Sequence, residues 1–323
     1  MLKQEIFRTF YVLLILFLPL AAGYGLRKKN LIPGPERVSI RLIVFLTKTV
    51  TPFVVLFSFW KLELTSAKIF TLPLVGMAIS TLALVPAFFF VKVHGLNRKQ
   101  AGSYLTSAMF SNIGYTLGGF IAFVLYGEAG FGLTVLYCLY FKPFYYTIGF
   151  YIAENYSSQK GVKIKDNLKK VFTDGIRLFP LLGLAAGIGL NLLDVPRPGF
   201  IQQLNGFLIP ATTFVYMLAI GMTLKLRAIK RFKVPVLSMS VIKFIWSPLI
   251  GLAIAYFLGY RFILGGLLFK VALIESFMPT AITSLMLPAL FNLDQDLSNS
   301  CWIFTTLLLI PLLPVMFWIL SLL

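Results

Sequence analysis

The chain has 323 residues, 59% of them hydrophobic and 12% charged, with a formal net charge of +18 and a mean hydropathy of +0.88. That balance belongs to a polytopic membrane protein and excludes an ordinary soluble domain. The positive charge does not point to nucleic acid, because the basic residues fall in short loops between apolar runs, where they face anionic lipid headgroups. One histidine, His94, and two cysteines inside apolar segments, Cys138 and Cys301, exclude a His/Cys metal cluster, and no disulfide, metal or other cofactor is expected.

The amino terminus imitates a secretory signal: Lys3 and Arg8 precede Phe10–Leu20 and the small residues Ala21, Ala22 and Gly23. It reads instead as a first membrane helix, since the apolar pattern resumes after only a short basic loop. Apolar runs of about 20 residues, the length needed to cross a bilayer, predict ten spans. They lie near 6–25, 38–60, 70–92, 100–125 and 129–152, then near 176–193, 200–223, 235–258, 262–290 and 298–322. Between the halves, 153–175 is a basic linker carrying Lys160, Lys163, Lys165, Lys169 and Lys170.

The halves resemble each other. Lys68-x-Phe70-x-x-Pro73 recurs as Lys230-x-Phe232-x-x-Pro235, and Pro86 recurs as Pro248; both shifts equal 162, from 230 − 68 and 248 − 86. The expected fold is therefore all-α, with 1–152 and 176–323 as two five-helix repeats. Five is odd, so the second copy enters the membrane inverted, an architecture of secondary transporters. The loops with Arg27, Lys28, Lys29, Arg37, Lys92, Arg98, Lys99, Lys225, Arg227, Lys230, Arg231 and Lys233, together with the linker, lie on one side. That side is expected to be cytoplasmic, with both termini outside.

Chemistry concentrates in Leu273–Leu285, where an apolar run holds Glu275, Ser276, Pro279, Thr280, Thr283 and Ser284. A charge at membrane depth costs roughly 3 kcal/mol or more unless paired or wetted. Pro279 should break the helix near Phe277–Thr280, and broken backbone is tolerated there only against protein or a wet cavity. The counterpart in the first half is Met109–Phe120, with Ser111, Asn112, Tyr115 and Thr116 among Gly114, Gly118 and Gly119. Taken alone, those glycines fit close helix packing. Set beside the proline-broken segment, they predict two broken helices whose amino ends offer free N–H groups to an anion. Thr212, Thr213 and Tyr216 are further candidates for lining a cavity. Asp294 and Asp296 read as caps of the last helix, and His94 as a solvated loop residue.

In order along the chain, Gly23-Tyr-Gly-Leu-Arg-Lys-Lys29, Pro52–Trp60, Ser111-Asn-Ile-Gly114, Met278-Pro-Thr-Ala281 and Phe291-Asn-Leu-Asp294 resemble the auxin efflux carrier family of permeases. That family is similar in fold to bile acid:sodium symporters. The resemblance implies crossed fourth and ninth helices, a core of spans 3–5 and 8–10 moving against a scaffold of spans 1, 2, 6 and 7, and a homodimer. The fourth span lacks the Asn-Pro-Asn-Thr run of plant auxin exporters, so auxin itself is not implied.

Lys48, Lys142, Lys243 and Lys270 lie within predicted spans against the carboxylate of Glu275. Lys48 is expected to snorkel. Lys270 and Glu275 are five residues apart, outside the favoured helical pairing, so Lys243 or Lys142 is the expected partner of Glu275. The expected function is secondary transport of a small organic anion, with Ser111, Asn112, Gly114, Thr116, Lys270, Glu275, Ser276, Pro279, Thr280 and Thr283 as substrate-site candidates. A lysine in the place of a sodium ion favours proton coupling or uniport. The alternatives are a sodium-coupled symporter and a transporter-like sensor; no constellation for an enzyme is present.

Overall fold

The computed structural model describes residues 2–157, 175–224 and 231–323. The five linker lysines, together with Lys225, Arg227 and Lys230, lie outside the described residues. The described elements are helices joined by short turns, with one isolated β-bridge among them.

In the first half these are α1 (Leu2–Lys28), α2 (Pro35–Thr49), α3 (Thr51–Trp60), α4 (Leu72–Leu82), α5 (Leu84–Val93), α6 (Arg98–Met109), α7 (Leu117–Tyr137), α8 (Phe141–Phe144) and α9 (Phe150–Tyr156). In the second they are α10 (Gly175–Leu192), α11 (Gly199–Gly221), α12 (Lys233–Val241), α13 (Ser247–Phe257), α14 (Leu267–Ser276), α15 (Met286–Leu290) and α16 (Gln295–Leu322). Among the described residues, seven stretches are long and apolar enough to cross a membrane: Ile6–Lys28, Pro35–Trp60, Ala67–Val93, Leu117–Tyr156, Gly199–Gly221, Lys233–Phe257 and Gln295–Leu322. Leu178–Leu192 is apolar but shorter. The chain is an all-α, polytopic membrane protein.

Helix ends follow local chemistry. Proline opens α2, and it lies in the first turn of α3, α4 and α13, where its missing N–H costs nothing. Asn97 and Gln100 form a reciprocal capping box on α6. Asp294 accepts from Leu297 N at 2.9 Å and caps α16. Deeper in a helix a proline strands the carbonyl one turn earlier; Pro86 does this to Leu82, whose oxygen instead takes the Trp246 indole N–H at 3.0 Å.

Contacts divide the chain into two compact units, each drawing on both halves of the sequence. The first comprises Met1–Thr65, Gly114–Val135 and Phe172–Leu224. Its helices approach through small residues: Gly183 lies against the Pro52 carbonyl, and Gly221 against that of Leu20. Tyr216 OH meets Thr47 and Thr51 hydroxyls at 2.9 and 3.0 Å. Asn191 Nδ2 gathers the carbonyls of Phe59, Trp60 and Leu62 at the end of α3. Gly127 (φ 65°) breaks α7, and the next residue, Glu128, meets Arg197 Nη1 at 2.6 Å and Asn205 Nδ2 at 2.8 Å.

The second unit comprises Ser66–Ile113, Leu136–Val171 and Lys225–Leu323. At its centre is α6, buried from Ala101 to Met109 although it carries Ser103, Thr106 and Ser107. Two of those hydroxyls are met within the protein: Thr106 donates to the Gly102 carbonyl at 2.9 Å, and Ser107 meets Ser298 Oγ at 2.9 Å, whereas that of Ser103 is buried with no hydrogen-bond partner among the described residues. Tyr104 OH and His94 Nε2 both converge on Ser238 Oγ, at 2.7 and 2.9 Å. His94 is thus not the free loop side chain its position implies; its ring also stacks on Phe90.

Replacing Gly183 by valine should cost about 1–3 kcal/mol, because the obstacle is backbone, which cannot rotate away; a lowered melting temperature in detergent checks this. Burial lowers the His94 pKa from its usual 6.5 by penalising the imidazolium. The unfolded chain therefore binds a proton that the folded one resists, so this contribution is present above pH 6.5 and is lost as pH falls through the folded value. Melting curves should show a decline in stability below about pH 6.5 that is shallower in His94→Gln.

Candidate functional site

The predicted break in the ninth span is present: α14 ends at Ser276, the chain runs without helix through Phe277–Ala281, and a short 3-10 turn resumes at Ile282. In the fourth span α6 ends at Met109 and α7 begins at Leu117. The two non-helical stretches meet as an antiparallel bridge between Ser111 and Thr280. Asn112 N donates to the Pro279 carbonyl at 2.7 Å, and Ala281 N donates to the Phe110 carbonyl at 2.9 Å. Thr280 N donates to Thr305 Oγ1 at 3.2 Å.

Above this bridge sits Lys243, 1% exposed, in a π-helical turn (Ile242–Trp246) between α12 and α13. Its ammonium donates to the Ala108 carbonyl (2.6 Å), the Phe110 carbonyl (3.1 Å) and Ser111 Oγ (2.9 Å). An ammonium has three donors, so all three are engaged by oxygens at the end of α6. Those carbonyls belong to the last turn, where a helix leaves acceptors unmet and its dipole favours a cation. Lys243 is therefore a helix cap, and its donors are not directed to Glu275.

Glu275, also 1% exposed, lies in the last turn of α14. It acts electrostatically on Tyr137, Cys138 and Tyr140, and Lys142 acts on the same Cys138 thiol. Lys142, half-buried, holds its ammonium 5.6 Å from the Phe141 ring centre and 5.9 Å from that of Tyr145. Tyr145 OH in turn donates to the Thr283 carbonyl at 3.1 Å. Ser276 spends its hydroxyl on the Leu273 carbonyl at 2.8 Å. The hydroxyls of Thr280 and Thr283 are buried and have no hydrogen-bond partner among the described residues.

The bridge thus brings together Ser111, Asn112, Pro279, Thr280 and Lys243, with Glu275, Ser276 and Thr283 on the same broken segment. Lys270 stands at the beginning of α14, half-buried. Gly114 and Thr116 belong to the first unit, where Gly114, at φ 81°, accepts Gly119 N at 2.6 Å. In that unit Thr212 lines a small pocket with Thr51, Val54, Tyr115, Phe131 and Ile209, while Thr213 is buried with its hydroxyl unpartnered.

Sequence reasoning overlooked Glu128, which falls between two predicted spans and looks like a loop residue. Its pairing with Arg197 across 69 positions leaves no local trace; only the side-chain exposures of 17% and 5% reveal it.

The chain is similar over residues 9–317 to a family described as "Membrane transport protein". An uncharacterised transporter of Methanothermobacter thermautotrophicus is 24% identical over 294 residues, covering 91% of this chain and 92% of that one. An uncharacterised transporter of Methanocaldococcus jannaschii is 26% identical over 225 residues, covering 70% of each. With broken helices bridged inside an all-helical membrane protein and a family match over nearly its whole length, this chain belongs to the membrane transport protein family of auxin efflux carrier permeases.

Proposed function

We propose that the protein is a secondary transporter of a small organic anion such as a carboxylate, by alternating access of a core bundle against a scaffold. The chain then crosses the membrane ten times as two inverted five-helix repeats, in the cell membrane, with both termini outside. The observation that carries this reading is the bridge at Ser111–Thr280, with the hydroxyls of Thr280 and Thr283 on the same broken segment lacking a hydrogen-bond partner among the described residues. A buried hydroxyl without a partner costs about 1–3 kcal/mol, and a substrate's carboxylate oxygens are suitable acceptors. Asn112 and Ser111 supply further polar groups on the facing stretch.

Coupling follows from the two charges. The seat filled by Lys243, two carbonyls and a hydroxyl, is the donor set that a monovalent metal ion would use. A tethered ammonium already occupies it, which favours proton coupling or uniport over sodium coupling. Glu275 is the proton carrier in this reading. The carboxylate sits at a helix carboxyl end, where the dipole opposes negative charge, so Lys142 or a proton must compensate it.

Three outcomes are expected. Lys243→Met leaves the Ala108 carbonyl without its donor and takes one donor from Ser111 Oγ and one from the Phe110 carbonyl, which keeps Ala281 N. An unmet buried acceptor costs about 1–3 kcal/mol, so thermal unfolding in detergent should show a loss well beyond that of a surface lysine variant. In proteoliposomes, labelled mono- and dicarboxylates should exchange faster than in empty vesicles, with no requirement for sodium. Glu275→Gln should abolish the response to an imposed pH gradient while leaving carboxylate-dependent thermal stabilisation in place. Absence of exchange for every carboxylate, with folded wild-type protein, sinks the proposal; exchange that depends on sodium sinks the coupling.

A further inference from the structure

A second cluster of cations, apart from the bridge, is organised at one end of α13. The apolar stretch Lys233–Phe257 ends there, and the stretch Ala67–Val93 begins beside it, so both mark one membrane face at headgroup depth. Three aromatic side chains point outward at this level: Tyr256 is 52% exposed, Phe257 85% and Phe262 76%. Exposed aromatic rings at a span end are interfacial anchors.

Arg261 lies among them. Its guanidinium carbon is 4.6 Å from the Tyr256 ring centre and 4.5 Å from that of Phe262, so two rings hold the side chain on the outward face. Lys68, in the 3-10 turn Ala67–Thr71, donates to the Leu258 carbonyl at 3.0 Å, and its ammonium stands over Gly259. One of its three donors is used. No carboxylate pairs with either cation among the described residues. The backbone between them is anchored: Tyr260, fully buried, meets Thr71 Oγ1 at 2.6 Å. Two cations with open donors thus stand at one end of α13, Arg261 on the turn that follows it and Lys68 bonded to that turn's Leu258 carbonyl, beside exposed rings that require acyl chains rather than water.

We infer that Arg261 and Lys68 form a binding site for the phosphate of an anionic phospholipid, with the chains lying along Phe257 and Phe262. The guanidinium fork suits two phosphate oxygens, and the ammonium a third. A soluble phosphate matches the cations but leaves the aromatic face unused, which is why lipid is the occupant. A zwitterionic lipid brings its own cation to the phosphate and competes poorly at a doubly positive site.

The test is native mass spectrometry of the detergent-solubilised full chain titrated with phosphatidylglycerol, phosphatidylcholine or inorganic phosphate. Wild type should retain phosphatidylglycerol over phosphatidylcholine by on the order of tenfold. Arg261→Gln, an exposed change that should not affect folding, should remove most of that preference. Lys68→Gln, which keeps a donor for Leu258 O, should weaken it less. A wild type that binds both lipids equally, or an Arg261→Gln protein with its preference intact, overturns the inference. Displacement of the lipid by equimolar inorganic phosphate would show a soluble-anion site and overturn it as well.

Discussion

Inside a membrane every backbone N–H and C=O that leaves a helix must find a partner in protein or in a wet cavity, because lipid offers none. Two stretches of this chain leave helix deep within apolar surroundings, and they meet the requirement by pairing with each other. Asn112 N with Pro279 O and Ala281 N with Phe110 O are the bonds that do so. Neither stretch is stable there alone, so the position of each half of the sequence is fixed by the other. The Phe110 carbonyl shows how fully the demand is met: it accepts from both Ala281 N and Lys243 Nζ, filling both lone pairs.

The rest of the second unit is arranged to make that meeting possible. An α6 rich in serine and threonine is expensive to bury unless its hydroxyls find outlets, which all but that of Ser103 do among the described residues. Hence the bonds from Thr106 to its own helix, from Ser107 to Ser298, and from Tyr104 to Ser238. Close approach is bought by small residues. Gly251 leaves no room for a side chain beside Ser276, and Gly149 none beside the Phe110 ring, so each broken segment is closely packed by a neighbouring helix. The ring of Phe110 is further enclosed by Phe141, Phe144 and Tyr145, with centroids 5.2–6.3 Å away.

Much of this was legible in the sequence, for reasons that differ by residue. Pro279 announces its own break because it lacks an N–H. Hydropathy separates the spans because the bilayer imposes a length, and Asp294 announces a cap by its place before α16. Long-range partners were not legible. Lys243 reads as a charge needing a countercharge, yet its actual partners are carbonyls of α6, 133 and 135 positions away, and carbonyls carry no signature in a sequence. The same applies to Glu128 and Arg197, and to His94, whose bond to Ser238 spans 144 positions. Periodicity also hides units that mix the halves: Gly114–Val135 joins the first and last parts of the first unit although hydropathy alone places it within the fourth and fifth spans.

The two broken helices end opposite in charge, with Lys243 at the end of α6 and Glu275 at the end of α14. Each terminates in a few carbonyls that carry the negative end of a helix dipole. At the end of α6 a lysine cancels that potential and supplies the missing hydrogen bonds. At the end of α14 a glutamate adds to it. Were both ends capped by cations, the bridge would be a fixed structural joint with no titratable element. Were both acidic, the repulsion within one buried site would have to be relieved by bound cations. With one end capped by a lysine whose donors are all engaged and the other carrying a carboxylate, the second is the end to which the proposed function assigns the proton. The proposed coupling accordingly rests on Glu275, while Lys243 caps the α6 end of the bridge.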